Sequence, residues 1–302
     1  MAILGPTASG KSELAMALAS DGGEIISVDS MQVYRGMDIG TAKPSTADRE
    51  AIRHHMIDVA DPPVDYTVAD FQHAARQALR EASERTDRVV IVGGSGLHFR
   101  SLVDPFEFPP SDPAVRRRVD ALADSEAVAE LLAADPDVAE HIDLANPRRV
   151  QRAVEILRLE GRTPSDRASS ATAQAVRGYQ PIEPFVALGL DPGEVLASRI
   201  ERRFEAMMEA GFLAEVAGLA DRLGRNAGQA VGYKELLPVV SGECELEIGR
   251  SAALSATLSL AKRQRTYFRR DPRIRWLPWH DAPEERFEAA REALEGVAPW
   301  TS

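Results

Sequence analysis

Short apolar and β-branched runs alternate with apolar stripes at helical spacing along the first third of the chain. Ala2-Ile3-Leu4, Glu24-Ile25-Ile26-Ser27-Val28, Met56-Ile57-Asp58-Val59 and Arg88-Val89-Val90-Ile91-Val92 have the length and bounding turns of strands. Between them, Glu13 to Ala19 reads as a helix. Val68, Phe71, Ala75, Ala78, Leu79 and Ala82 form one helical face, opened by a Thr67–Asp70 capping box. Leu97, Phe99 and Leu102 continue as a helix after the fourth run. Strands alternating with helices predict an α/β fold, a parallel sheet core flanked by helices.

The pattern then breaks. Pro105, Pro109, Pro110 and Pro113 interrupt any regular element. From Pro113 to Arg177 only short helices rich in Ala, Arg and Glu are predicted, one opened by Pro147 and followed by Gly161. Strand patterning resumes at Phe185-Val186-Ala187-Leu188-Gly189-Leu190, and Asp191-Pro192-Gly193-Glu194 starts a helix carrying Arg199, Arg202 and Arg203 that Gly211 ends. The expected organisation is a first core segment, 1–110, an all-helical insertion, 111–182, and a second core segment, 183–302.

Composition narrows the class. The 302 residues are 44% hydrophobic and 27% charged, ordinary for a soluble globular protein, and no apolar run approaches the ~18 residues of a membrane span. A lone cysteine, Cys244, excludes an internal disulfide and a cysteine-based zinc cluster, and a reducing, cytoplasmic setting is expected. The net charge of −11 argues against nucleic acid, but the basic residues are bunched. From Lys262 to Arg275 there are seven of them against one acid, Asp271, with Tyr267 and Phe268 among them. That pattern suits phosphate-backbone binding with aromatic stacking, or a solvated helix face.

The first chemistry-bearing stretch is Gly5-Pro6-Thr7-Ala8-Ser9-Gly10-Lys11-Ser12, between a strand and a helix. Glycines let successive amides converge on phosphate oxygens, Lys11 supplies a point charge, and the Ser12 hydroxyl can reach magnesium. The usual ligand of such a loop is ATP. Asp29 ends the second strand, on the sheet edge where the loop lies, which fits either a catalytic carboxylate or a turn former. A long polar loop follows to Pro44. Where an ATP-hydrolysing protein carries an acid, the strand ending at Val92 delivers Gly93-Gly94-Ser95-Gly96. His54 and His55 point opposite ways on a strand, so no shared metal site is expected.

Together the blocks GPTASGKS, ISVDSMQVYRGMDIGTAKP, VGGSGLHFRSL, NPRRVQRAVE, LEGRTPS, QAVGYKE and KRQRTYFRR, running in order from Gly5 to Arg270, resemble the tRNA dimethylallyltransferase, or tRNA isopentenyltransferase, family. The resemblance implies a P-loop NTPase-like core with a helical insertion. It also implies transfer of a dimethylallyl group from dimethylallyl diphosphate to N6 of the adenine beside the anticodon (position 37), with release of diphosphate. In that family the loop, here Gly5, Pro6, Thr7, Ala8, Ser9, Gly10, Lys11 and Ser12, holds the donor's diphosphate, with Mg2+ at Ser12. Asp29 matches the base, and Lys11, Arg203 and Ser95 match the other catalytic positions. Ser95 stands where the family usually has Thr, and His98 where it has Tyr.

The resemblance further implies that the anticodon stem-loop of tRNA meets three groups of residues. The first is Asp29, Ser30, Met31 and Gln32 with Ser95. The second is Arg117, Arg148, Arg149, Val150, Gln151 and Arg152 of the insertion. The third is Lys262, Arg263, Gln264, Arg265, Tyr267 and Arg269. A monomer without membrane contact suffices. Two rival enzymes remain: a phosphate-loop kinase of a small molecule or nucleotide, disfavoured by the Gly93-Gly94 turn, and a prenyltransferase of free adenine nucleotide, which has little use for the clustered arginines.

Overall fold

A computed structural model of the protein describes residues 1–298; the last four positions of the expected 183–302 segment lie outside them. Strands β1 (Ala2–Leu4), β2 (Glu24–Ser27), β3 (His54–His55), β4 (Val89–Gly93), β5 (Ala187–Gly189) and β6 (Ile274–Trp276) form one sheet in the order β3-β2-β4-β1-β5-β6. All its pairings are parallel, and Ile3 of β1 lies between Val92 of β4 and Leu188 of β5. Buried on both faces, the inner strands read as continuous apolar runs in the sequence.

Helices α1 (Lys11–Ala19), α2 (Thr46–Ala51), α3 (Val68–Ser83) and α4 (Gly96–Val103) alternate with the first strands. Thr67 and Asp70 form the expected capping box on α3, Thr67 N–H donating to Asp70 at 2.9 Å. After β5 come α10 (Leu196–Glu209), α11 (Phe212–Leu219), α12 (Tyr233–Val240), α13 (Leu246–Phe268) and α14 (Pro283–Ala293), the labels α5 to α9 belonging to the intervening segment described below. Leu14, Ala15 and Leu18 of α1 pack with Ile3, Val90, Leu188 and with Ala290 and Ala293 of α14 in the main core.

Two local readings change. Met56–Val59 is irregular, because Met56 and Asp58 take left-handed φ values of 64° and 55° that no strand accommodates. The Asp58 carboxylate meets Lys43 and Arg49, each at 2.6 Å, which accounts for the turn. Strand β6 lay hidden in the basic stretch after α13: it is an edge strand with Arg275 exposed between Ile274 and Trp276.

The chain forms two compact units, residues 1–102 with those from 184 onward, and residues 103–183. The second unit holds α5 (Pro113–Asp120), α6 (Asp124–Ala134), α7 (Pro147–Glu160), α8 (Pro164–Ser169) and α9 (Ala171–Arg177). Asn146 caps α7, Pro147 opens it, and Gly161 ends it at φ 67°. Val115, Val119, Leu131, Val138 and Val154 make its core, together with Val150. Val150 is only 1% exposed, so its side chain is packing and not an RNA contact. Arg152 is half-buried: it donates to the carbonyls of Pro109 (2.7 Å) and Pro110 (3.2 Å) and pairs with Glu155 at 2.7 Å. Arg117, Arg148 and Arg149 are exposed, and Gln151 is half-buried.

The close approach of β4 to β2 is testable. A Cβ on Gly93 would lie 2.3 Å from the Val28 carbonyl oxygen, a backbone atom that cannot step aside. Gly93→Ala is expected to destabilise the fold by about 1–3 kcal/mol, read from the denaturant midpoint; an unchanged midpoint contradicts this packing.

Candidate active site

In a parallel sheet every strand delivers its carboxyl end to the same edge, and here four such ends meet. The turn after β1 runs from Gly5 to Gly10 into α1. Gly10 has φ 81°, and a Cβ there would lie 3.2 Å from the buried guanidinium of Arg286. Lys11 folds back over the turn, its Nζ donating to the Pro6 carbonyl at 3.0 Å. Ser9 Oγ is buried inside the turn and, among the described residues, is the one buried side-chain polar atom without a hydrogen-bond partner. A closed loop of amides with an orphaned hydroxyl and a lysine fits an anion with several oxygens.

Asp29 follows β2. Its Oδ1 accepts from the N–H groups of Met31 (2.8 Å) and Gln32 (3.3 Å), which fixes the carboxylate, while Oδ2 accepts no hydrogen bond from the described residues. Arg203 reaches the site from α10. Burial lowers the Lys11 pKa to about 8, with Arg203 acting in the same direction and Asp29 against both. Burial also pulls Arg203 down, again opposed by Asp29. Two cations thus share one carboxylate.

The turn after β4 supplies Gly93, Gly94 and Ser95. A Cβ on Gly94 would sit 2.6 Å from the Gln264 amide, so glycine leaves room for that side chain. Ser95 N–H donates to the Val28 carbonyl at 3.3 Å, which sets Ser95 beside Asp29, and its Oγ lies 2.8 Å from His98 Nδ1. Burial lowers the His98 pKa to about 4, so the imidazole is neutral at physiological pH.

The loop from Asp29 to Pro44 is held by charged and polar braces. The Glu215 carboxylate of α11 accepts from the successive N–H groups of Asp38 (2.9 Å), Ile39 (2.8 Å) and Gly40 (3.0 Å), and from the Tyr233 hydroxyl (2.5 Å). Lys43, its side chain 2% exposed, donates to Tyr34 O, Asp38 and Asp58. Gln32 accepts from Ser27 Oγ at 2.8 Å and donates to the carbonyls of Thr41 and Ala42. Expected as an RNA contact, the Gln32 side chain is a brace.

Helix α13 has two roles. Gln264 points inward, and its Oε1 accepts from Thr7 N–H of the phosphate loop at 2.9 Å. Arg265 donates to Asp191 (2.9 Å from Nε) and to Gly193 O (2.9 Å), and Arg269 to the other Asp191 oxygen at 2.8 Å. Gln264 and Arg265, both half-buried and both expected at the RNA, thus also link parts of the chain to one another. Tyr267 fills the space a side chain on Gly96 would need, and Lys262, Arg263 and Arg269 are exposed.

Thr7, Lys11, Ser12, Asp29, Met31, Gln32, Arg203 and Gln264 line a cavity of about 440 Å3. Ala8, Ser9 and Gly10 line the adjoining hollow with Arg199 and Arg202. Gly5 and Pro6 lie beneath the turn, and Ser30 is half-buried beside Asp29. Thr41, Ala42, Asp48 and His54 also line the cavity, unanticipated from the sequence although they follow the Asp29 loop closely. Such a site can hold a phosphorylated group on the loop and its cations, and present Asp29 Oδ2 to a proton donor alongside.

Residues 32–271 match the family model described as IPP transferase. The tRNA dimethylallyltransferase of Acidothermus cellulolyticus is 43% identical, over 97% of this chain and 92% of that one. The crystal structure of the full-length tRNA isopentenylpyrophosphate transferase from Bacillus halodurans superposes with a TM-score of 0.67 at 34% identity, covering 98% and 96% of the two chains. A eukaryotic dimethylallyltransferase acting on tRNA gives a TM-score of 0.79 at 26% identity, covering 97% of this chain and 77% of that one.

The lowered Lys11 pKa generates a prediction. The unfolded lysine titrates near 10.5 and the folded one near 8, so the unfolded chain binds more protons between those values. The Lys11 contribution to stability therefore rises with pH across that window. An anion on the loop reverses the shift. Sulfate, which does not titrate in this range, is expected to bind at pH 8.5 with proton uptake, seen as calorimetric heats that vary with buffer ionisation enthalpy. Lys11→Met removes the uptake; an equal uptake in that variant contradicts the assignment.

Proposed function

The chain belongs to the tRNA dimethylallyltransferase (IPP transferase) family, and on that premise we propose that its site transfers a dimethylallyl group from dimethylallyl diphosphate to the exocyclic N6 of the adenine at position 37 of tRNA. One observation carries the reading: Lys11 and Arg203, both half-buried beside a phosphate-binding turn, share the field of a single carboxylate, Asp29, whose hydrogen bonds among the described residues go to one oxygen. This suits a reaction in which an anionic group leaves and an amine loses a proton in the same cleft.

The diphosphate lies on the Gly5–Ser12 turn, with Ser9 Oγ donating to one of its oxygens. The N6 nitrogen attacks the allylic carbon, the carbon–oxygen bond breaks, and the diphosphate departs with the bonding electrons. Lys11 and Arg203 stabilise the charge that grows on the leaving oxygen. The aryl amine is a weak nucleophile until its proton leaves, and Asp29 Oδ2 accepts that proton as the new bond forms. Ser95 accepts a hydrogen bond from the same amine. Because the cleft lies within the sheet edge, the adenine must be turned out of its stack to reach the donor.

Magnesium, when bound, would neutralise charge on the diphosphate, held by Ser12 Oγ and the phosphate oxygens. Among the described residues no group of three His, Cys, Asp or Glu forms a metal cage. The RNA is gripped by the backbone and side chains of Asp29, Ser30 and Met31, by Arg117, Arg148, Arg149 and Gln151, and by Lys262, Arg263, Tyr267 and Arg269. No helix among the described residues is long and apolar enough to cross a membrane. A tRNA substrate supports a cytoplasmic location.

Incubation with labelled dimethylallyl diphosphate and unmodified tRNA is expected to yield labelled RNA and diphosphate; turnover of ATP without tRNA, and no labelled RNA, contradicts the reading. Asp29→Ala is expected to lower transfer by at least about a hundredfold, far more than it weakens tRNA binding, and activity within tenfold of wild type would sink the base assignment. Arg269, its side chain 62% exposed, offers charge to the RNA. Arg269→Ala is expected to reduce the slope of log Kd against log salt by roughly one, whereas an unchanged slope assigns it to Asp191 alone.

A further inference from the structure

Ser95 and His98 are coupled in a way the reaction above leaves unused. Ser95 sits where α4 begins, its carbonyl accepting from Phe99 N–H at 2.9 Å and its N–H held by the Val28 carbonyl, one residue before Asp29. The helix sets His98 three residues on, on the same face. Its ring is clamped edge-on by Phe71 of α3, centroids 4.6 Å apart at 77°, and the His98 carbonyl accepts from Ser101 Oγ at 2.8 Å. The imidazole therefore has one orientation, with Nδ1 2.8 Å from Ser95 Oγ. Asp29 is the charged group that acts on it, and burial keeps it neutral down to about pH 4.

A neutral imidazole has one donor nitrogen and one acceptor nitrogen, so the Ser95–His98 bond has two possible directions. If Nδ1 carried the proton, the Ser95 hydroxyl proton would be turned outward. It would then meet the N–H groups of an incoming amine, donor against donor. If Nε2 carries it, Nδ1 takes the serine proton and Oγ faces the cleft with lone pairs alone.

We propose that His98 is a positioning residue whose Nδ1 accepts the Ser95 hydroxyl proton, making Ser95 Oγ an obligate acceptor for the N6–H that the amine retains. The inference rests on the prenyl-transfer reading above. With Ser95 holding one amine hydrogen and Asp29 Oδ2 taking the other, the two acceptors orient the nitrogen lone pair at the allylic carbon. His98 touches neither substrate. It acts by fixing which way one hydroxyl points.

The test is a double-mutant cycle read by single-turnover prenyl transfer at saturating tRNA and dimethylallyl diphosphate, with tRNA Kd measured in parallel. His98→Phe keeps a ring against Phe71 and removes the acceptor. It is expected to slow transfer about tenfold, the worth of one hydrogen bond in a closed site, with Kd unchanged. His98→Asn, whose Oδ1 falls near the Nδ1 position, is expected to recover most of the rate. Ser95→Ala is expected to cost about as much as His98→Phe, and the double variant no more than either alone. A His98→Phe variant at wild-type rate, an asparagine variant no better than phenylalanine, or multiplicative losses would each overturn the proposal. Nitrogen-15 shifts of His98 in the wild-type protein test it without any variant: an unprotonated Nδ1 at pH 7 supports it, and a protonated Nδ1 overturns it. A wild-type chain that makes no prenylated RNA overturns the reading of the reaction and this inference with it, whereas an active wild type with a failed cycle removes the inference alone.

Discussion

Two half-buried cations set around one carboxylate are the constraint on which the site depends. Burial disfavours the charge on both Lys11 and Arg203, Arg203 adds to the effect on Lys11, and Asp29 opposes it in each case. Water screens such a cluster poorly, so charge left uncompensated in the fold is strongly stabilised by any anion that fills the loop. The free site is therefore incomplete. Its energetic cost is recovered when a phosphorylated ligand binds, and is drawn on again as negative charge builds on the leaving oxygen. Asp29 serves twice: it tempers the cations through its charge, and it keeps Oδ2 available for a proton.

Holding that cluster still requires a rigid surround, and much of the polar chemistry around it is bracing. Glu215 closes three successive amides of the Asp29 loop, Gln32 ties Ser27 to Thr41 and Ala42, and Lys43 joins three acceptors while almost fully buried. Each meets its partners inside the chain, as even partial burial favours. Gln264 extends the bracing to the phosphate loop itself through Thr7 N–H. The helix that offers Lys262 and Arg263 to solvent thus also touches the anion cradle, so an RNA on its outer face and a diphosphate on its inner face meet the same rigid element.

Much of this was legible in the sequence, and the exceptions have physical causes. Strands β1, β4 and β5 announced themselves because burial on both faces makes them continuously apolar, and β2 through its central Ile25-Ile26. Strand β6 did not, since an edge strand bearing Arg275 resembles the basic segment around it. Met56–Val59 misled because its apolar composition hides the left-handed turns at Met56 and Asp58. Within the site, the phosphate turn, Asp29 and the glycines after β4 were readable because local order alone puts them on one edge. The bracing was not. Glu215 lies 175 residues from Gly40, Gln264 257 residues from Thr7, and Arg265 74 residues from Asp191, and nothing local signals such pairings. Val150 shows the remaining error: the resemblance takes in a block of neighbouring residues as RNA contacts, although a helix turns every third or fourth position inward to its core.

The central claim is that the turn at Gly5–Ser12, with Lys11 and Arg203, grips the diphosphate of a leaving group. Equilibrium binding of inorganic pyrophosphate and of ATP to the wild-type chain and to Lys11→Met and Arg203→Met variants tests it most directly. The account predicts that pyrophosphate binds at least as tightly as ATP, and that removing either cation weakens it by about a hundredfold. ATP binding far more tightly than pyrophosphate, with no dependence on Arg203, would contradict it.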